Sequence, residues 1–153
     1  MNRIDLKFKE LRAKKRKALI IYLTCGYPDL KTTEKLVLEL EARGADIIEL
    51  GVPFSDPLAD GPVIQESSSY ALKKGINLKR IFSLVRVLRK NTQIPICLMG
   101  YYNPVLSFGP VKFVREALKS GVDGIIIPDL PPEEDRELVS LSKERGLKTI
   151  FFL

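Results

Sequence analysis

Five apolar runs of strand length recur along this chain, at residues 18–24, 46–50, 95–99, 123–127 and 149–153, with amphipathic stretches of helical length between them. That alternation leaves few architectures open. A run such as Ala18-Leu-Ile-Ile-Tyr-Leu-Thr24 is apolar at successive positions, so both of its faces need cover, which a parallel sheet flanked by helices provides. Between the runs, residues 32–43 place Leu36, Val37 and Leu40 at helical spacing before Gly44. Residues 63–74, 78–89, 111–119 and 133–145 read as further helices, three of them followed by Gly75, Gly121 and Gly146. The segments Gly44-Ala-Asp-Ile-Ile-Glu and Gly121-Val-Asp-Gly-Ile-Ile echo each other, a hint of repeated βα units.

Each of the first four strand runs leads into a Pro- or Gly-rich turn: residues 26–28, 52–55, 101–104 and 128–132. In a (β/α)8 barrel such turns gather on the C-terminal face, where active sites are built. A doubly wound sheet is the structural alternative. No Gly-x-Gly-x-x-Gly follows a strand and no Gly-Lys-Ser/Thr occurs, which argues against dinucleotide or P-loop nucleotide binding. The chain stops inside the run Ile150-Phe-Phe-Leu153, and five βα units cannot close an eight-stranded barrel. Residues 1–153 are therefore expected to be the N-terminal portion of one barrel domain, about its first five strands.

Composition narrows the chemistry. At 153 residues, with 45% apolar and 29% charged side chains, the chain has the make-up of one globular domain. No run approaches the roughly 18 apolar residues that cross a bilayer, and Met1 to Lys7 lacks a signal segment. Cys25 and Cys97 fit reduced cytosolic thiols, and their spacing suggests no metal site. With no histidine, acid–base work near neutral pH falls to carboxylates, tyrosines or lysines. The net charge of +6 gathers partly in Lys7, Lys9, Arg12 and Lys14 to Lys17. Ile4, Phe8 and Leu11 recur at helical spacing there, so the segment reads as a basic-faced, solvated helix over a domain edge. Without aromatic interleaving or zinc ligands it does not read as a nucleic-acid site.

Glu49 stands alone within Asp46-Ile-Ile-Glu-Leu50, and a carboxylate in such a run is costly to bury unless paired, protonated or used. It shares a strand face with Gly51, while Ile48 and Leu50 share the other. Near the C-terminal end of the strand, facing inward, a raised pKa would suit it to general acid–base exchange; a scaffold carboxylate pinned by a lysine or tyrosine is the alternative. Asp56 and Asp60 follow in a loop punctuated by Pro53, Pro57, Gly61 and Pro62. Asp56, immediately before proline, reads as a turn residue, whereas Asp60 is equally a turn residue or a second site carboxylate. Tyr22, Ile64, Tyr102 and Ile127 lie at strand ends or just after a loop, where they line a pocket or fill core; Asn103-Pro104 and Pro128-Asp129 shape turns.

Taken together, the stretch from Glu49 to Gln65 (Glu49-Leu-Gly-Val-Pro-Phe-Ser-Asp-Pro-Leu-Ala-Asp-Gly-Pro62, then Ile64-Gln65) resembles the signature of the tryptophan synthase alpha subunit family. Tyr22 to Asp29, Leu98 to Pro104 and Gly121 to Pro131 are similar to that family's segments around its first, third and fourth strands. The resemblance implies a (β/α)8 barrel lyase that cleaves indole-3-glycerol phosphate to indole and glyceraldehyde 3-phosphate without a metal or organic cofactor. Glu49 matches the family's general acid–base and Asp60 the carboxylate that meets the indole N–H. Tyr22, Ile64, Gly100, Tyr102 and Ile127 correspond to positions around the substrate; the family more often has phenylalanine at position 22, and a buried tyrosine hydroxyl needs a partner. Pro53, Asp56, Pro57, Asn103, Pro104, Asp129, Pro131 and Pro132 resemble the face that meets the beta subunit in an α2β2 complex. Pyridoxal phosphate belongs to that partner. The family's lid and phosphate-holding turns come later in its sequence, so a polypeptide ending at Leu153 is expected to cleave little or none of the substrate. It could still bind the beta subunit; a different phosphate-handling barrel lyase or isomerase is the other reading.

Overall fold

In the computed structural model, which describes residues 1–131, 133–134 and 136–152, twelve elements follow one another. Helix α1 spans Arg3–Ala13, and β1 (Ile20–Thr24) leads through α2 (Leu30–Ala42) to β2 (Ile47–Gly51). Two helices, α3 (Pro62–Lys73) and α4 (Leu78–Leu88), precede β3 (Ile96–Met99). Then come α5 (Tyr102–Phe108), α6 (Pro110–Ser120), β4 (Gly124–Ile126), α7 (Arg136–Arg145) and β5 (Lys148–Ile150). The apolar runs are thus trimmed to their hydrogen-bonded centres, and residue 153 of the last run lies outside the described residues. All neighbouring strands are parallel, in the spatial order β1-β2-β3-β4-β5. A doubly wound sheet reverses its strand order midway; this one never does, as in an arc of a barrel. Among the described residues no helix is long and apolar enough to cross a membrane.

The sheet has two unlike faces. Ile48, Leu50, Ile96, Leu98 and Ile125 point outward into a large core closed by the helices, chiefly by Ile81, Phe82, Val85 and Leu88 of α4 and Phe113, Val114 and Ala117 of α6. On the inner face a smaller cluster gathers Ile47, Cys97 and Ile126, with Met99 and Ile150 against it and Ile4 of α1 plugging it from below. Asn2 fixes that plug. Its side chain caps α1 by accepting from the Ile4 N–H at 2.9 Å and donates to the carbonyls of Asp123 (2.8 Å) and Gly146 (3.0 Å). Ile4 and Leu11 are buried as their spacing requires, but Phe8 is 39% exposed and covers no core.

The sequence echo has a structural meaning. Gly44 and Gly121 leave α2 and α6 with positive φ (101° and 95°), and two residues later Asp46 and Asp123 each stand buried at the foot of a strand. The Asp46 carboxylate accepts the N–H of Leu19, just before β1, at 2.9 Å; that of Asp123 accepts the N–H of Ile96 in β3 at 2.9 Å. Each therefore ties its own αβ turn back to the preceding strand. Both charges are paired: Asp46 with Arg16 and, at 3.9 Å, Lys7; Asp123 with Arg89 (2.7 Å) and Arg3 (3.0 Å). Arg16 and Lys7 thereby depart from the solvated run expected of residues 7–17. Helix α1 is held across two repeats by charge.

The turn expected at residues 101–104 is instead the start of α5. Tyr101 is extended (φ −80°, ψ 159°) and the helix begins at Tyr102, with Pro104 in its first turn. A proline there costs no intrahelical hydrogen bond, because the first N–H groups of a helix have no partner within it. The Tyr102 N–H is taken instead by the Asp129 carboxylate at 2.9 Å.

Candidate active site

Register places the site residues. Across the inner face Tyr22, Glu49, Cys97 and Gly124 form one row, and Thr24, Gly51, Met99, Ile126 and Ile150 form the next row toward the C-terminal end. Glu49 is half-buried on the inner face, where burial raises its carboxyl pKa above the ordinary value. Among the described residues no ion pair or side-chain hydrogen bond holds its carboxylate. Burial, with the charges of Glu49 and Asp123 adding to it, pushes the neighbouring Cys97 thiol up to about 12.

Asp60 reaches the same neighbourhood from the loop after β2. That loop is braced at several points: Leu58 N–H donates to the Asp56 carbonyl (3.0 Å), Asp60 N–H to the Pro57 carbonyl (3.1 Å), and the Gln65 amide to the Asp60 carbonyl (2.8 Å). Tyr22 reports where the carboxylates meet. Its hydroxyl is raised in pKa first by burial and then, against a lowering from Thr24, by the charges of Asp60, Tyr101 and Glu49. Glu49 and Asp60 therefore both bear on one phenol. That phenol lies over Gly51, where a Cβ would run into its hydroxyl, so the glycine opens the inner face for the ring. The Thr24 hydroxyl shares a hydrogen bond with Ser67 Oγ at 2.7 Å, and Ser67 donates to the Ile64 carbonyl at 3.0 Å. Residues Tyr22, Thr24 and Ile64 are thus linked between β1 and the first turn of α3.

The remaining expected lining residues divide. Ile64 is half-buried beside the loop, and Gly100 follows β3 with its N–H on the Ile126 carbonyl at 3.0 Å; a Cβ on Gly100 would stand 2.8 Å from Val52 Cβ. Ile127 belongs to the outer core instead, and it is Ile126 that faces inward beside Met99. Tyr102 packs against the outer core too, and Tyr101 bears on Asp60. For Ile126 and Ile127 the alternation of a strand and its continuation separates the two faces; Tyr101 and Tyr102 are separated by the break between β3 and α5. Tyr101, Thr24, Met99 and Ile126 were missed; the alternation counted from Glu49 and Gly51 through the paired strands is the signal that finds the last two.

Pro53, Asp56, Pro57, Asn103, Pro104, Asp129 and Pro131 ring the C-terminal ends of β2, β3 and β4; Pro132 lies outside the described residues. Asp56, Asn103, Asp129 and Pro131 are exposed, whereas Pro53 is buried. Pro53 and Pro104 line a cavity of about 490 Å³ with Phe54, Ser107 and Phe108, on the outer side of the loop rather than over Glu49. Among the described residues no three cysteine, aspartate or glutamate side chains converge as a metal site would need.

Residues 8–153 match the family model described as tryptophan synthase alpha chain. The tryptophan synthase alpha chain of Geotalea daltonii is 53% identical over 153 residues, which are all of this chain and 58% of that one. That of Clostridium acetobutylicum is 56% identical over 144 residues, 94% of this chain and 54% of the relative. Among solved structures, tryptophan synthase subunit alpha from Legionella pneumophila superposes with a TM-score of 0.94 at 41% identity, over 97% of this chain and 57% of that one. A tryptophan synthase complex from Pyrococcus furiosus gives 0.83 at 47% identity, over 88% and 55%. The chain spans less than two thirds of the length of each of these relatives.

Proposed function

The chain belongs to the tryptophan synthase alpha chain family, and on that premise we propose that its residues carry the acid–base end of a lyase site that cleaves indole-3-glycerol phosphate to indole and glyceraldehyde 3-phosphate. One observation carries the reading: Glu49, half-buried and raised in pKa on the inner face, with Asp60 brought by the next loop to act on the same phenol. A carboxyl that keeps its proton nearer neutral pH can give it to indole C3 as the C3–glycerol bond breaks. The electron pair of that bond stays on the ring, and the glycerol hydroxyl, losing its proton, becomes the aldehyde. A single carboxyl that donates at C3 and recovers a proton from the hydroxyl ends the cycle as it began. Asp60, accepting the indole N–H, stabilises the positive charge that protonation spreads over the ring. Tyr22, Ile64 and Gly100 border the substrate.

The chemistry asks for no cofactor on this chain, and pyridoxal phosphate is assigned to the beta subunit. That partner would receive indole in an α2β2 assembly in the cytoplasm, through the rim formed by Asp56, Asn103, Asp129 and Pro131 with the neighbouring prolines. Glu49→Gln tests the reading, because glutamine fills the same space but cannot cycle a proton. Where the parent releases indole, the variant's release should fall at least about a thousandfold while the circular dichroism spectrum is unchanged; release at the parent rate would remove Glu49 from the mechanism. A second reading is binding of the beta subunit without turnover, for which the exposed rim of Asp56, Asn103, Asp129 and Pro131 is the supporting observation. Titrating beta-subunit activity against these 153 residues, alongside indole release, separates the two.

A further inference from the structure

Tyr101 stands at the N-cap of α5 with its side chain buried, 6% exposed. Two contacts join it to opposite ends of the loop after β2. Its ring lies 5.5 Å, centroid to centroid, from that of Phe54 near the loop's start. Its hydroxyl oxygen accepts the Ala59 N–H at 2.9 Å near the loop's end. Ala59 immediately precedes Asp60, so the hydroxyl that holds the Ala59 N–H sits beside the Asp60 backbone. Burial first, then the charge of Asp60 and its hydrogen bond, raise the phenol's pKa against the opposing effect of the Ala59 N–H.

We propose that Tyr101 is a positioning residue, a clasp that grips the Phe54-to-Asp60 loop at both ends and so sets where Asp60 stands. The loop needs such a grip. Its internal backbone bonds join only near neighbours, Leu58 to Asp56 and Asp60 to Pro57, and the Gln65 side chain ties the Asp60 carbonyl to α3. These bonds shape the turn and seat its end on a helix without referring it to the strands. Tyr101, rooted between β3 and α5, refers the loop to the strand side of the barrel. It goes beyond the lyase reading in naming what holds Asp60, and only its catalytic consequence rests on that reading.

Tyr101→Phe keeps the ring on Phe54 and deletes the hydroxyl. Amide hydrogen exchange on the parent chain and this variant should show Ala59 exchanging about tenfold faster, with the amides of β3 and α3 unchanged. Unaltered exchange at Ala59 would overturn the clasp. Asp60→Asn should lower the pH at which the Tyr101 phenol ionises, followed by NMR; an unmoved titration would overturn the contact with Asp60. Where the parent releases indole, Tyr101→Phe should lower kcat about tenfold with KM little changed, and an unchanged kcat would remove any part for the clasp in turnover. A parent that releases no indole defeats the lyase reading alone, since exchange and titration judge the clasp without turnover.

Discussion

Glu49 and Asp60 are both acids, yet their surroundings differ in a way that separates their chemistry. Glu49 rises from a strand and is half-withdrawn from water, so its neutral form is favoured; Asp60 hangs from a loop beside two phenols. The Glu49 shift also sets a stability consequence. With the folded pKa above the unfolded one, the folded state holds the proton more tightly. The associated stability is present in full below the ordinary glutamate range, about 4.3, and is lost as pH rises through the folded pKa. Glu49→Gln removes this titration, so its thermal midpoint should exceed the parent's at pH 7 and the difference should shrink on acidification toward pH 4. An identical offset at both pH values would show that Glu49 is not desolvated. Such a gain in stability on loss of the acid is what a functional group held at a cost predicts. Glu49 was legible in the sequence because its apolar neighbours made it conspicuous. Tyr101 was not, because Tyr101 and Tyr102 are chemically alike and only the break between β3 and α5 decides which turns toward Asp60.

The βα repeat is the unit at which stability is organised. Asp123 is 2% exposed, takes the Ile96 N–H and pairs with Arg89, whose own pKa is lowered to about 10 by burial against the raising effect of Asp123. Removing this one carboxylate leaves the Ile96 N–H without its acceptor and the largely buried Arg89 without its counter-charge, though the guanidinium keeps the carbonyls of Gly121 and Ile94. Asp123→Ala should therefore cost about 3–5 kcal/mol in urea unfolding. Glu39→Ala, at an exposed pair with Arg43 on one helix face, should cost less than about 0.5 kcal/mol. Equal effects would mean that the strand tie contributes nothing. The repeated Gly-x-Asp spacing announced a periodic unit, but its purpose was hidden. The acceptor geometry appears only when β1 lies beside β2 and β3 beside β4. Likewise α5 was hidden by Pro104, which usually marks a turn and here occupies the one part of a helix that tolerates it.

Over the whole molecule the parallel arc divides the apolar residues into two populations. Cys25 sits in the outer core and Cys97 in the inner cluster; both are essentially inaccessible, and burial drives each thiol up to about 12. Neither should react with an aromatic disulfide reagent in the native protein, and both should react at once in guanidinium. Rapid native labelling of Cys97 alone would show that the inner face beneath Glu49 is open to solvent. The number of βα units, the parallel sense of the sheet and the suspicion attached to Glu49 were determined by the sequence by itself. Each follows from local rules: runs apolar at every position, helical spacing between them, and the cost of an acid among isoleucines. Only the tertiary structure decided that the strands run in unbroken order, that Ile126 joins the inner cluster and Ile127 the outer core, that Tyr101 bears on Asp60, and that Asp46 and Asp123 tie neighbouring strands. These depend on register between segments distant in the chain, and a shift of one residue reverses every face.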